Sequence, residues 1–148
     1  MSNNEDMVKL YSGRILALAA SIPHAERLDQ PQVSAKKRSP LCGSTVTVDL
    51  SLENGRISRF GQDVKACALG QASASILGKK AIGRTRDEIE TARDQLRDML
   101  KSDGPVPTAP FEEYEVLIPA RDYKNRHASI MLALEATLAA FDEASATA

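Results

Sequence analysis

Residues 45–60 read TVTVDLSLENGRISRF. This stretch consists of an alternating segment, the pair Asn54-Gly55 and a second segment. Strict alternation predicts a strand with one apolar face, because successive side chains of a strand point to opposite sides. Asn-Gly is the pair that a two-residue type I′ turn prefers, so the chain is expected to return as a strand from Arg56 to about Val64. The apolar face of the first strand consists of Val46, Val48, Leu50 and Leu52.

The register of this hairpin requires one irregularity. A two-residue turn places Ile57 opposite Leu52 on the apolar face. Phe60 would then lie on the polar face by strict alternation. We therefore expect a β-bulge near Arg59, which returns Phe60 to the apolar face.

The segment before the hairpin, residues 30–40, is polar and carries the basic trio Lys36, Lys37 and Arg38. Lysines protect the exposed edges of sheets, which favours an edge strand here. The trio is either a solvated edge or a surface for an acidic protein partner.

Helical periodicity predicts helices on both sides of the hairpin. The first has an apolar stripe that ends before Pro23 and consists of Val8, Tyr11, Ile15, Leu18 and Ile22. Residues 66–77 form a second helix, whose small side chains allow close packing. Thr85 and Glu88 form a capping box for a third helix, which ends at Gly104-Pro105. Its buried stripe consists of Ile89, Ala92, Leu96, Met99 and Leu100.

A final helix is expected to begin near Asp122, after a proline-rich surface connection over residues 105–119. Its inner face consists of Ile130, Leu134, Leu138 and Phe141. Strands and helices are segregated along the chain, which indicates an α+β fold. We expect one domain over residues 1–148, with frayed ends at residues 1–6 and 144–148.

The composition excludes several classes of function. The chain has 148 residues and 16.0 kDa, with a net charge of -1 and an isoelectric point near 6.1, so it has no electrostatic footprint of a nucleic-acid binder. No apolar run approaches the roughly 20 residues that span a bilayer. The acidic start is not that of a signal peptide. We expect a cytoplasmic protein whose two cysteines are both free thiols.

The two cysteines flank the hairpin, so both are expected at the same end of it. Cys42 precedes the first strand, and Cys67 begins the helix after the second. The N–H groups of a helix start favour a thiolate, which makes Cys67 a candidate for a lowered pKa. Spacing alone also allows two buried small hydrophobes. His127 is the one plausible third ligand, although a lone histidine is more often structural. Hydrolase and dehydrogenase motifs are absent from the sequence, so we expect no enzyme of these types.

The segments around the cysteines resemble the U-type iron–sulfur cluster assembly scaffolds (IscU, SufU and the NifU N-terminal domain). The resemblance rests on four segments, which are Pro40-Leu41-Cys42-Gly43, Asn54-Gly55, Ala66-Cys67-Ala68 with Ala72-Ser73-Ala74-Ser75, and His127-Ala128-Ser129-Ile130. It implies a three-stranded antiparallel sheet packed against several helices, with a cluster or zinc site at one end. The family's site has three cysteines and an aspartate, sometimes with a histidine.

Three positions of this chain depart from the family's pattern. Ser44 stands where the family has aspartate, Ala66 where it has glycine, and Ala128 where it has the third cysteine. The resemblance makes Cys42 and Cys67 ligands, and the missing third cysteine makes His127 the expected third ligand, so that metal affinity should fall as protons compete at low pH.

The resemblance also implies a function and its partners. The expected function is a scaffold or carrier, not an enzyme, that holds iron or a transient [2Fe–2S] cluster. Sulfur would come as a persulfide from a cysteine desulfurase, and recipient iron–sulfur apoproteins would take the cluster. The alternatives are a degenerate paralogue that acts as a regulatory or interaction protein, and a zinc-bound sulfur acceptor. We expect no nucleic-acid or membrane partner, and a monomer or a homodimer.

Overall fold

The alternating residues form the central strand of a three-stranded antiparallel sheet with the order β1-β2-β3. The computed structural model describes residues 11–147. The strands are β1 Val33–Arg38, β2 Thr45–Glu53 and β3 Arg56–Lys65. The helices are α1 Gly13–Ala20, α2 Ala68–Lys80, α3 Arg86–Lys101, a 3₁₀ helix Glu112–Asp122 and α4 Lys124–Thr147. The α+β prediction is confirmed, and β1 is the predicted edge strand.

The hairpin has the predicted turn and the predicted bulge. Asn54 and Gly55 both have positive φ, at 55° and 78°, as a type I′ turn requires. Ile57 pairs with Leu52, whereas Ser51 pairs with Arg59, which leaves Ser58 as the extra residue of a bulge. The bulge places Phe60 opposite Leu50, and both side chains are buried.

The apolar face of the sheet packs mainly against α4, which lies across β1 and β2. Helix α2 lies between α1 and α4 and also contacts β3. The alternation beside the small-residue helix predicts that the Leu50 and Leu52 face packs on helices that include α2; the 24-residue helix α4 lies across β1 and β2, and α2 contacts β3. The predicted inner faces of α3 and α4 are buried, and Thr85 and Glu88 form the predicted capping box.

The second face of the sheet is covered by the segment between α1 and β1. Asp49 of β2 points to this face and is fully buried. It accepts hydrogen bonds from Arg27 Nε at 2.7 Å, from Leu28 N at 2.9 Å and from the Ser34 hydroxyl. A Cβ at position 61 would collide with the carbonyl oxygen of Glu26, so a glycine is required there. These contacts hold the segment flat against the sheet.

Two predicted segments differ in the structure. Helix α1 begins at Gly13, because the Ser12 hydroxyl accepts a hydrogen bond from Ile15 N and caps the helix; Val8, in the predicted stripe, lies outside the described residues. The proline-rich connection is less superficial than expected. Phe111, Tyr114, Leu117 and Ala120 are buried at intervals of three, which is the period of a 3₁₀ helix.

At the C-terminal end, where fraying is expected over residues 144–148, the chain is helical. Helix α4 continues to Thr147, and Ala144 is buried. Residues 1–6 lie outside the described residues. No helix in residues 11–147 combines the length and the apolar character that crossing a membrane requires.

Candidate metal centre

Cys42 lies at the exposed tip of the loop that joins β1 to β2. Two backbone hydrogen bonds close this loop, from Ser39 N to Ser44 O at 2.8 Å and from Gly43 N to Ser39 O at 3.0 Å. Gly43 adopts a φ of 73°, which favours glycine. The neighbouring side chain, Leu41, is 75% exposed. The loop therefore presents a thiol and an apolar side chain to solvent.

Cys67 lies at the same end of the sheet as Cys42, as the sequence predicts. It is the N-cap of α2 and is separated from the end of β3 by Ala66 alone. Thr45 pairs with Arg38 on one side and with Lys65 on the other, so the Cys42 loop and Cys67 continue from one row of residues. The Cys67 side chain is half-buried and packs partly against the core.

Two serine hydroxyls connect the two thiols. Ser44 Oγ lies 3.0 Å from Cys42 Sγ, and Ser129 Oγ lies 3.5 Å from Cys67 Sγ. Ser129 Oγ donates a hydrogen bond to Ser44 Oγ over 3.2 Å. Because a hydroxyl has one proton, Ser129 is then an acceptor toward Cys67, and Ser44 is free to donate to Cys42. We call Cys42, Ser44, Ser129 and Cys67 the thiol–serine relay.

The hydroxyls of Ser39 and Ser44 lower the pKa of Cys42. The Cys42 thiol donates to Ser39 Oγ over 3.4 Å, and hydrogen bonding with Ser39 and Ser44 lowers the pKa of Cys42 from 9.0 to about 7. Once Cys42 is ionised its sulfur can only accept, so both hydroxyls stabilise the thiolate. Cys42 is therefore more readily ionised at neutral pH than an ordinary thiol.

A glycine in α2 makes room for Ser129. A Cβ built at Gly70 would lie 2.5 Å from Ser129 Oγ and 2.9 Å from the Cβ of Ala66. Real Cβ atoms do not approach other atoms so closely, so α2 and α4 can meet here only at a glycine. The small-residue character of α2 thus positions the Ser129 hydroxyl beside Cys67.

The fold is similar to that of known proteins. The structure matches the crystal structure of a nitrogen-fixing NifU-like protein (N-terminal) from Brucella abortus with a TM-score of 0.93 and 40% sequence identity. The match covers 97% of this chain and 99% of that one. This chain belongs to the U-type scaffold family, as a NifU-like domain.

A curated relative agrees with that assignment, and a further solved structure shares the fold. A curated relative, the iron–sulfur cluster assembly scaffold protein IscU of Thermotoga maritima, is 28% identical over 95 residues, which are 64% of this chain and 67% of that protein. A putative SufU scaffold from Fervidobacterium islandicum shares the fold, with a TM-score of 0.78 at 17% identity, and the match covers 90% of this chain and 98% of that one. No family model matches the sequence.

The sequence-predicted ligands are only partly brought together in this family member. His127 is buried, and its Nε2 lies 2.8 Å from the carbonyl oxygen of Ala120. Within residues 11–147, no group of three or more His, Cys, Asp or Glu side chains is placed to hold a metal ion. The relay thus joins the two cysteines without His127, and the ligand role of His127 stays a prediction.

Sequence reasoning missed the three serines of the site. Ser39, Ser44 and Ser129 are all buried. In the sequence Ser44 stands out only as a departure from the family's aspartate, and Ser129 is 85 residues away from it in the chain. A signal existed, because Ser44 and Ser129 stand at or beside the two positions where the family has its other ligands.

Proposed function

We propose that this protein is an iron–sulfur cluster assembly scaffold or carrier, which receives a transient [2Fe–2S] cluster as cargo and passes it on. The observation that carries the proposal is the pair of thiols, Cys42 and Cys67, joined by buried serine hydroxyls at one end of a NifU-like fold. The function of the named relatives, which are scaffold proteins, supports the same assignment. The role is that of a carrier rather than an enzyme.

The donor set fits iron and cluster chemistry. Thiolates are the preferred ligands of iron–sulfur clusters and of zinc. Ser39 and Ser44 keep their protons near neutral pH, so they act as hydrogen-bond donors to sulfur rather than as ligands. Hydrogen bonds to ligating sulfur lower its basicity, which suits a cluster that must later leave.

Sulfur delivery by a cysteine desulfurase needs a nucleophilic thiolate on the acceptor. Cys42 is exposed and partly ionised at neutral pH. Its thiolate attacks the terminal sulfur of a persulfide on the desulfurase, and a new S–S bond forms as the old one breaks. The donor cysteine leaves as a thiolate, so one sulfur atom is transferred without a net change in electrons. The completed cluster would then pass to recipient apoproteins.

His127 is retained in this proposal as a predicted third ligand. Coordination would require its ring to leave the carbonyl oxygen of Ala120. The two cysteines carry the function without it, because their placement does not depend on the position of the imidazole.

Anaerobic reconstitution tests the proposal. The metal-free protein is mixed with iron and sulfide under argon, desalted, and measured by absorption spectroscopy and iron and sulfide analysis. We expect sulfur-to-iron charge-transfer bands for the wild type and their loss in Cys42→Ala and Cys67→Ala. Ser58→Ala is the control, since it removes a hydroxyl at the bulge and should keep the bands.

Other outcomes identify the alternatives. A colourless protein that binds only zinc, through the same two cysteines, would contradict the scaffold proposal and favour a zinc-bound sulfur acceptor. A protein that binds neither metal would favour a regulatory or interaction protein. Both outcomes test the assignment, because Ser44 and Ala128 stand where the family has two of its ligands.

A further inference from the structure

We infer that the free edge of β1 is a docking site for an extended acidic segment of a partner protein, which adds to the sheet as a fourth strand. Such strand addition is a common way for a sheet to bind a peptide, with affinity that comes from main-chain hydrogen bonds. The edge contains neither of the two thiols, so this docking site goes beyond the proposed function.

The outer edge of β1 has main-chain groups available for a fourth strand. Within residues 11–147, β1 pairs only with β2. Ser39 N donates to Ser44 O and continues this ladder by one pair. In an antiparallel ladder, residues that bond to the neighbouring strand alternate with residues whose N–H and C=O groups point away from it. Lys37 therefore bonds to β2 as Ser39 does, whereas Lys36 and Arg38 direct their N–H and C=O groups outward.

Unpaired cations line the same edge. Lys36, Lys37 and Arg38 are all exposed, and none of the ion pairs within residues 11–147 involves them. Arg27 and Arg86, by contrast, are paired with carboxylates. Like charges oppose the pairing of this edge with a second copy of itself. The same charges attract an acidic strand, so the edge selects its partner by charge.

The two faces of β1 specify the pattern of the acidic segment. Lys36 and Arg38 lie on one face with Ser34, because side chains alternate along a strand. Val33 and Ala35 lie on the other face, where Val33 is buried and Ala35 is half-buried. A strand that alternates glutamate with valine would place its carboxylates beside the cations and its apolar side chains beside Val33 and Ala35.

The edge leads directly to the candidate metal centre. β1 ends at Arg38, and the loop that carries Cys42 follows. A Cβ built at Gly43 of this loop would lie 3.9 Å from Arg38 Nη2, so the guanidinium lies beside the loop. A strand bound along β1 has one of its ends near the Cys42 thiol, and its protein is held there without being a metal ligand.

A designed peptide tests the docking site on the metal-free protein. The probe is a fluorescein-labelled peptide that alternates glutamate and valine over six residues, the length of β1. Fluorescence anisotropy should show saturable binding at low ionic strength, and binding should weaken as salt screens the charges. A peptide with lysine in place of each glutamate should not bind.

Matched charge variants place the contact at β1. Lys36→Glu combined with Arg38→Glu should weaken binding of the glutamate peptide at least about tenfold, because two attractions become repulsions. Lys80→Glu combined with Lys101→Glu is the control. These lysines are exposed at the ends of α2 and α3, and the net charge changes by the same amount. The control should bind the peptide as the wild type does, and an equal loss in both variants would contradict a site at β1.

Hydrogen exchange followed by NMR tests the strand geometry. The peptide should slow exchange of the Lys36 and Arg38 amides and leave the Lys37 amide unchanged, since Lys37 is already bonded to β2. Two further peptides carry N-methyl groups on the glutamates or on the valines. One of them should bind and the other should not, because only alternate amides of an added strand face β1.

Three results would overturn the inference. They are the absence of saturable binding, equal binding of the glutamate and lysine peptides, and slow exchange at Lys36 and Arg38 that depends on protein concentration without peptide. The last result would mean that a second copy of the chain covers the edge. All three leave the proposed function standing, because the probe has no thiol and cluster formation is measured separately by reconstitution.

Discussion

At Cys42, the hydroxyls of Ser39 and Ser44 lie within hydrogen-bonding distance of the sulfur and lower its pKa to about 7. A lowered pKa means that the thiolate predominates above about pH 7. The alkylation rate of Cys42 by iodoacetamide, measured in metal-free Cys67→Ser protein, should therefore rise with pH and reach half of its plateau near pH 7.

Removing one hydroxyl tests the cause of that shift. In Ser44→Ala the midpoint should move upward, toward the ordinary value of 9.0, because one donor to the thiolate is lost. Ser58→Ala, at the far end of the hairpin, should leave the midpoint near 7. Equal midpoints in Ser44→Ala and wild type would show that the Ser44 hydroxyl does not stabilise the thiolate.

A His127→Ala variant separates the two roles of this residue. The buried bond to Ala120 predicts a structural role. Losing it leaves the Ala120 carbonyl with the hydrogen bond from Tyr123 N alone, and one lost hydrogen bond costs about 0.5–1.5 kcal/mol in the free energy of unfolding. We expect urea unfolding to detect this loss, and a zinc titration at pH 7.5 to give a lower affinity, as the predicted ligand role requires. Unchanged zinc affinity would leave His127 with the structural role alone.

At the scale of elements, the contact between α2 and α4 holds the thiol–serine relay together. Gly70→Ala would place a Cβ 2.5 Å from Ser129 Oγ. The helices must then separate, and overpacking typically costs about 1–3 kcal/mol. We expect lower stability in urea and a weaker cluster in Gly70→Ala.

Gly13→Ala is the matched control for that substitution. No atom lies within 4 Å of a Cβ built at Gly13, and alanine reduces the entropy of the unfolded chain. Its stability should be unchanged or slightly higher. If both variants unfolded at the same urea concentration, the close contact between α2 and α4 would be refuted.

The same elements show why some features could be predicted from the sequence. The hairpin and its bulge depend on alternation, on Asn54-Gly55 and on Phe60, which are all within 16 residues of each other. The capping box at Thr85 needs only Glu88. By contrast, the burial of Asp49 depends on Arg27 and Leu28, which a distant segment brings over the sheet. Local pattern carries no information about such pairs.

The candidate site likewise combines features that local sequence predicts with a contact between distant segments that it does not predict. Cys42 and Cys67 were predicted to lie at one end because paired strands connect them. The relay between them needs Ser129, which is 62 residues beyond Cys67, and its position follows from the packing of α4 on α2 at Gly70. Periodicity predicts that α4 is helical, but it does not predict which hydroxyl of α4 meets the sulfur.

At the scale of the whole molecule, the two ends of the sheet differ in character. The hairpin-turn end is closed by the contact of Gly83 with Ile57. The other end carries both thiols, exposed Leu41 and the exposed cations of β1. A carrier needs one end that is open to donors and recipients, and the fold leaves the cysteine end open.

Transfer of the cluster to a recipient tests the scaffold function most directly. Loaded wild-type protein is mixed with the metal-free form of a [2Fe–2S] ferredoxin, in the presence of a chelator that captures free iron. Circular dichroism should show the spectrum of the loaded ferredoxin, whereas a mixture prepared with Cys42→Ala should not show it. If the chelator takes all of the iron, or if the cluster stays on the wild-type protein, the scaffold function is contradicted.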